Sequence, residues 1–308
     1  MLYRWIFWVF LFVGGLPLGA VGGESSAPRA KPPKWPAEVR EVFFDDVREH
    51  LVGVRPGKME SAGQVVARAE VAQRGAGRAW SDVIDADTLT TEIKRVVNQV
   101  ARTVQQAGAF KSDGYRLCER DFGLLTIWFG LVEEFDEEVR WQRDAGAMRS
   151  YLVAAAESCA EGNDESLAAA QQASELLADL MRGQSPELPQ ASGGTSLDGV
   201  AALGDLMHRM KLASEEKIVP SLVRVREFRK GRAEIAREAQ VLSVLARIIK
   251  MEGYDYAEDE TYLEYANQLQ QAAAELVRAA QESDFQAAEE AGGRVTGACA
   301  ACHEDYRG

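Results

Sequence analysis

The chain has 308 residues, a formal charge of −13 and 46% hydrophobic residues. That is long enough for one large or two ordinary domains and apolar enough for a packed core. The negative balance argues against binding to nucleic acid or to an anionic membrane surface.

At the start, Arg4 precedes an apolar run from Trp5 to about Val13, and Ala20, Gly22, Gly23 and Ala27 follow. This three-part pattern predicts a secretory signal peptide over 1–23, with a retained membrane anchor as the alternative. Either reading exports the rest of the chain. Residues 24–56 contain "APRAKPPKWP", a proline-rich basic tether expected to be extended. His50, in "FFDDVREHLVG", has no evident partner and reads as surface or structural.

No proline occurs from Gly57 to Ser185, and this stretch is rich in Ala, Leu, Glu, Gln and Arg. Such residues lose little on entering a helix. The pattern predicts helices over about 88–106, 115–135, 141–161 and 165–181. Residues 57–183 are therefore expected to form a helical bundle. Residues 184–196, inside "RGQSPELPQASGGTSLDG", read as a linker. Beyond it, helices are expected over about 197–213, 222–251, 260–282 and 285–306, a second bundle spanning 197–308. Asp164 and Asp284 stand where helix caps are wanted. The fold class is all-α, two four-helix-bundle-like domains.

The halves also resemble each other. The stretch from Leu124 can be laid along the stretch from Val241 with small gaps. Both run from an apolar helix through an acidic aromatic turn to a helix containing "AAAE", then an Asp-bearing turn and an Ala-rich helix. If the repeat is real, the first copy has the scaffold and only the second has the chemistry.

That chemistry is in "GACAACHEDYRG". Cys-x-x-Cys-His is the attachment signature of a c-type haem. Two thiols three residues apart on a helix point the same way, and each can add across one vinyl group of the porphyrin. His303 follows as proximal iron ligand. A thioredoxin-like pair would need a strand-to-helix context. A zinc site would need a fourth ligand at zinc-like spacing, and His50, His208, Cys118 and Cys159 offer none. A Cys299–Cys302 disulfide would leave His303 unexplained. Cys118 and Cys159 are open to two readings, a disulfide after export or two small buried residues. The acidic turns "EEFDEE" and "YDYAEDETY" read as solvated.

"CAACHEDYR" resembles the C-terminal signature of cytochrome c′ and the other class II c-type cytochromes, Cys-x-x-Cys-His-x-x-Tyr/Phe-Arg on the last helix of a four-helix bundle. The resemblance covers about 197–308. It implies one covalent haem c on Cys299 and Cys302, with His303 on the iron, Arg307 beside the imidazole and a propionate, and Tyr306 packed nearby. It also implies a residue on the first bundle helix facing the distal side of the iron. In "VAALGDLMHRMKLASEEK" the apolar stripe puts Met207 there and Met210 one turn on, while His208 lies off that face. An open sixth position is the other reading. Leu203 stands where the family has an arginine, a departure that leaves the register open.

The expectation is therefore a non-enzymatic periplasmic cytochrome that passes one electron to or from an unidentified redox partner protein. It has no membrane contact unless the leader is retained, and a homodimer stays open. The alternatives are a five-coordinate haem protein that binds NO or CO, and a partner-binding scaffold with an accessory haem.

Overall fold

The computed structural model describes residues 79–307 apart from 186, 189–196 and 198–200. The expected signal peptide, the tether, His50 and most of the linker lie outside the described residues. All described residues fall within one compact unit. They contain no strand, and their longer elements are eight helices. These are α1 (Ala86–Thr103), α2 (Tyr115–Glu134), α3 (Ala145–Ser158), α4 (Asp164–Met181), α5 (Leu203–Lys211), α6 (Val225–Ile248), α7 (Glu260–Glu282) and α8 (Phe285–Tyr306).

Local chemistry explains most of the boundaries. The Asp85 side chain accepts from the Thr88 amide and opens α1. Asp259 accepts from the amides of Thr261 and Tyr262 at the start of α7. Asp284 accepts from the Ala287 amide at the start of α8. Each pairs amides that the first helical turn leaves without a partner. Ser283 closes α7 in the left-handed region at φ 64°, so α7 and α8 meet in a two-residue turn. Asp164 is not the cap expected from the sequence. Asn163 takes that place, accepting from the Ser166 amide, and Asp164 is the first helical residue. Residue 141 does not start a helix either. Trp141 adopts φ 69° and donates its indole N–H to the Leu180 carbonyl, which holds the turn before α3.

The helices pair in the same cyclic order in both halves. In the first, α2 packs on α1 and α3, and α4 packs on α1 and α3. In the second, α7 packs on α6 and α8, and the chain following α5 packs on α6 and α8. α2 is buried almost all round, with Phe122, Leu125, Ile127, Trp128, Phe129 and Leu131 fully enclosed. A helix apolar on every side has neighbours on every side, and here α5 of the other half is one of them.

α5 does not end as a regular helix. Leu212–Ile218 continues it with π-helical hydrogen bonding, and one more turn runs over Val219–Ser221. Leu222 then crosses α8 at Gly292, where a Cβ would collide with the leucine side chain.

The halves meet through buried charge. Arg209 on α5 is 2% exposed and donates to both carboxylate oxygens of Glu92 on α1, at 2.7 and 3.0 Å. It also lies 2.8 Å from Glu238 on α6. Arg95 holds the outer side of Glu92 through two bonds of 2.8 Å. Burial alone would raise the pKa of Glu92, but the Arg209 and Arg95 guanidiniums overcome it and carry the carboxyl down to about 2.

Asp121 on α2 is the exception in this region. It is buried, one of its oxygens has no partner, and burial pushes its pKa up to about 6. An acid whose folded pKa lies above its unfolded value stabilises the fold at low pH and loses that contribution as pH rises toward 6. Asp121→Asn is therefore expected to gain roughly 2 kcal/mol over the wild type at pH 8. The gain should shrink toward zero at pH 4, as read by urea unfolding at the two pH values.

Candidate functional site

The site is built on the last three turns of α8. Residues 299, 302 and 303 fall on one face, because offsets of three and four return to the same side of a helix. Cys299 and Cys302 are half-buried and unbonded, and the His303 side chain is exposed. Burial pushes the Cys299 thiol up to about 11, with the charges of Cys302 and Glu215 adding to the effect. Burial and then Asp305 raise Cys302 as well. A disulfide-exchange pair works through a lowered thiol pKa, so these two are tuned the opposite way.

Near Cys302 stands a cluster of tyrosines. The Tyr306 ring stands edge-on to Tyr262 at 5.4 Å and tilted to Tyr256 at 4.9 Å. Tyr306 donates its hydroxyl to Asp259 at 2.7 Å, and Tyr265 donates to Asp305 at 2.8 Å. Tyr262 is 1% exposed, and its hydroxyl has no partner. The acidic turn "YDYAEDETY" thus does more than meet water. Tyr256, Asp259 and Tyr262 from it hold the end of α8. Sequence reasoning missed this set. The available signal was a capping Asp followed by Tyr262 and Tyr265, three residues apart and so on one face of α7.

Tyr306 stands one turn beyond His303 on α8, and Arg307 caps the helix. The helix ends at Tyr306, and Arg307 is extended at φ −98° and ψ 96°, with its amide donating to the His303 carbonyl at 3.2 Å. The Arg307 amide thus keeps the four-residue helical bond to His303, and the backbone leaves the helix only after it.

Met207 is half-buried at the edge of the core. Met210 is 5% exposed and belongs to the core. His208 is exposed. The wall that α8 packs against is the π-helical segment Leu212–Ile218 rather than α5 itself. Glu215 of that segment is the residue whose charge reaches Cys299. A π turn takes more residues than an α turn, so the register of an ideal helix drifts along this stretch.

In the first half, Cys118 and Cys159 are neighbouring buried thiols, unbonded to each other. Among the described residues no group of three or more His, Cys, Asp and Glu side chains could hold a metal ion. No helix among them is long and apolar enough to cross a membrane.

The residues fit a covalently attached haem. Two unbonded thiols share a face of α8 with an exposed imidazole. Comparison with known proteins agrees. No curated protein and no solved structure matches the chain. Residues 252–307, which hold the tyrosine turn, α7 and α8, match the family model described as cytochrome C′. The resemblance first carried by Cys-x-x-Cys-His-x-x-Tyr-Arg thus extends over that whole segment, which is similar to cytochrome c′.

Proposed function

We propose that the protein is an exported electron-transfer cytochrome carrying one covalent haem c. The observation that carries this reading is Cys299, Cys302 and His303 on one face of a helix inside the segment that matches the cytochrome c′ family. Cys299 and Cys302 would hold the porphyrin by thioether bonds, and His303 would supply the proximal nitrogen. The haem supplies a one-electron couple. The chain would hold the group on α8, the helix that Leu212–Ile218 packs against and that carries Tyr306 one turn from His303. No residue is assigned a catalytic role. The other participant is a redox partner protein, and the compartment is the periplasm, where c-type haem is attached.

The sixth position decides between two readings. A Met207 thioether on the iron suits electron transfer, because a Met–His pair raises the potential. The second reading, an open position that binds NO or CO, is favoured by one observation. The segment facing α8, "LASEEKI", contains no methionine or histidine. The optical spectrum separates them. Low-spin ferrous bands insensitive to CO support the ligated reading, and a high-spin spectrum that shifts with CO supports the open one. Met207→Ala is expected to convert low-spin ferrous bands to high-spin ones. An unchanged spectrum removes Met207 from the iron.

A further inference from the structure

The first half carries no Cys-x-x-Cys-His motif, yet it is packed against the second in a specific way. Glu92 and Arg209 stand 117 residues apart. The starts of α1 and α5, Ala86 and Leu203, differ by the same offset. So do Leu124 and Val241, where the two copies align, and so do Asp121 and Glu238. In the repeat, Glu92 and Arg209 are the same position, and they touch each other.

A residue meeting its own equivalent marks a twofold axis. The flanking contacts obey the same symmetry. Asp85 before α1 exchanges two hydrogen bonds with Gln240 on α6, at 2.9 and 2.8 Å. Their equivalents are Ala202, which precedes α5, and Gly123 on α2. There a Cβ on Gly123 would meet the Cβ of Ala201, the neighbour of Ala202, at an ordinary contact distance of 3.5 Å, so the symmetry holds to within one residue. Pairing of i with j and of j with i is the signature of an isologous interface. The halves are joined as the two subunits of a twofold dimer would be.

The charges on the axis make this pairing selective. Two copies of the haem half joined through the same face would set Arg209 against Arg209. Two copies of the first half would set Glu92 against Glu92. Only the mixed pair sets opposite charges against each other on the axis, whereas either like pair would press two equal charges together in a buried place. The clamp also bears on the site. Arg209 lies on α5, which continues directly into Leu212–Ile218, the wall packed on α8 beside Cys299.

We propose that the haem-free half is a built-in partner subunit that holds α5, and with it the distal wall of the cofactor site, through Glu92 on the pseudo-twofold axis. Glu92 is thus a positioning residue. The effect on the cofactor rests on the haem reading, but the clamp itself does not.

The test compares the full mature chain with Glu92→Arg and with the milder Glu92→Gln. It reads hydrogen exchange by peptide, covalent haem by intact mass, and CO binding to the reduced protein. Amides of 203–218 are expected to exchange at least tenfold faster in Glu92→Arg, and a few-fold faster in Glu92→Gln, while those of 285–306 keep their protection. With haem mass retained, the CO on-rate or the spin state is expected to change in both. Exchange over 203–218 within twofold of wild type in both variants overturns the proposal. An equal rise in every helix overturns it too, because that is plain destabilisation. A wild-type chain without haem mass defeats the haem reading alone, and the exchange pattern still judges the clamp.

Discussion

Replacing Cys299 and Cys302 together by serine is expected to abolish covalent chromophore. When made in a host that matures c-type cytochromes, the variant should lack the mass of one tetrapyrrole and stay colourless after acid–acetone extraction. The reason is chemical, since a serine hydroxyl does not add across a vinyl group as a thiol does. Each single variant should keep one thioether and an altered ferrous band. The fold should survive, because both thiols are only half-buried and α8 is anchored elsewhere, at Asp284, Gly292 and Tyr306. Surface-side substitutions of this kind cost about 1 kcal/mol or less. A double variant that still carries covalent haem would sink the assignment of the attachment site.

The second large effect concerns the junction of the halves. Arg209→Met is expected to destabilise the chain by about 3–5 kcal/mol, because it leaves Glu92 and Glu238 buried without their shared cation. The sign with pH follows from the lowered pKa of Glu92. A carboxyl held at about 2 in the fold, well below its unfolded value, contributes stability that is present above pH 5. That contribution is lost as pH falls toward 2. The wild type should therefore lose stability across this window, and Arg209→Met should show a much flatter profile. Urea unfolding at pH 7, 5 and 3 measures both. A loss below 1 kcal/mol at pH 7 would remove Arg209 from the role of bridge. The gain expected for Asp121→Asn has the opposite dependence on pH, so the two carboxyls can be told apart by where in pH each acts.

How far the sequence reached is clear from particular residues. The expected spans 260–282 and 285–306 coincide with α7 and α8. Asp259 and Asp284 each precede a helix with nothing competing for their oxygens, so local chemistry settles the boundary. The span near 141–161 was less legible, because the long-range bond from Trp141 to Leu180 delays α3 to Ala145. The span near 197–213 was misjudged at both ends. Helix α5 begins only at Leu203, and π-helical hydrogen bonding then carries the chain on to Ile218, which periodicity alone does not reveal.

By itself the sequence determined the all-α class and the Cys-x-x-Cys-His motif that makes Cys299, Cys302 and His303 the proposed attachment triad. Helix propensity, capping and Cys-x-x-Cys-His spacing all act within a few residues along the chain. Tertiary structure alone decided that Tyr262 is buried near Cys302 and that Leu212–Ile218 packs on α8. It also brought Glu92 to Arg209 across 117 residues. Each of these depends on which helices come together, and Arg209 reaches Glu92 only once both halves are folded.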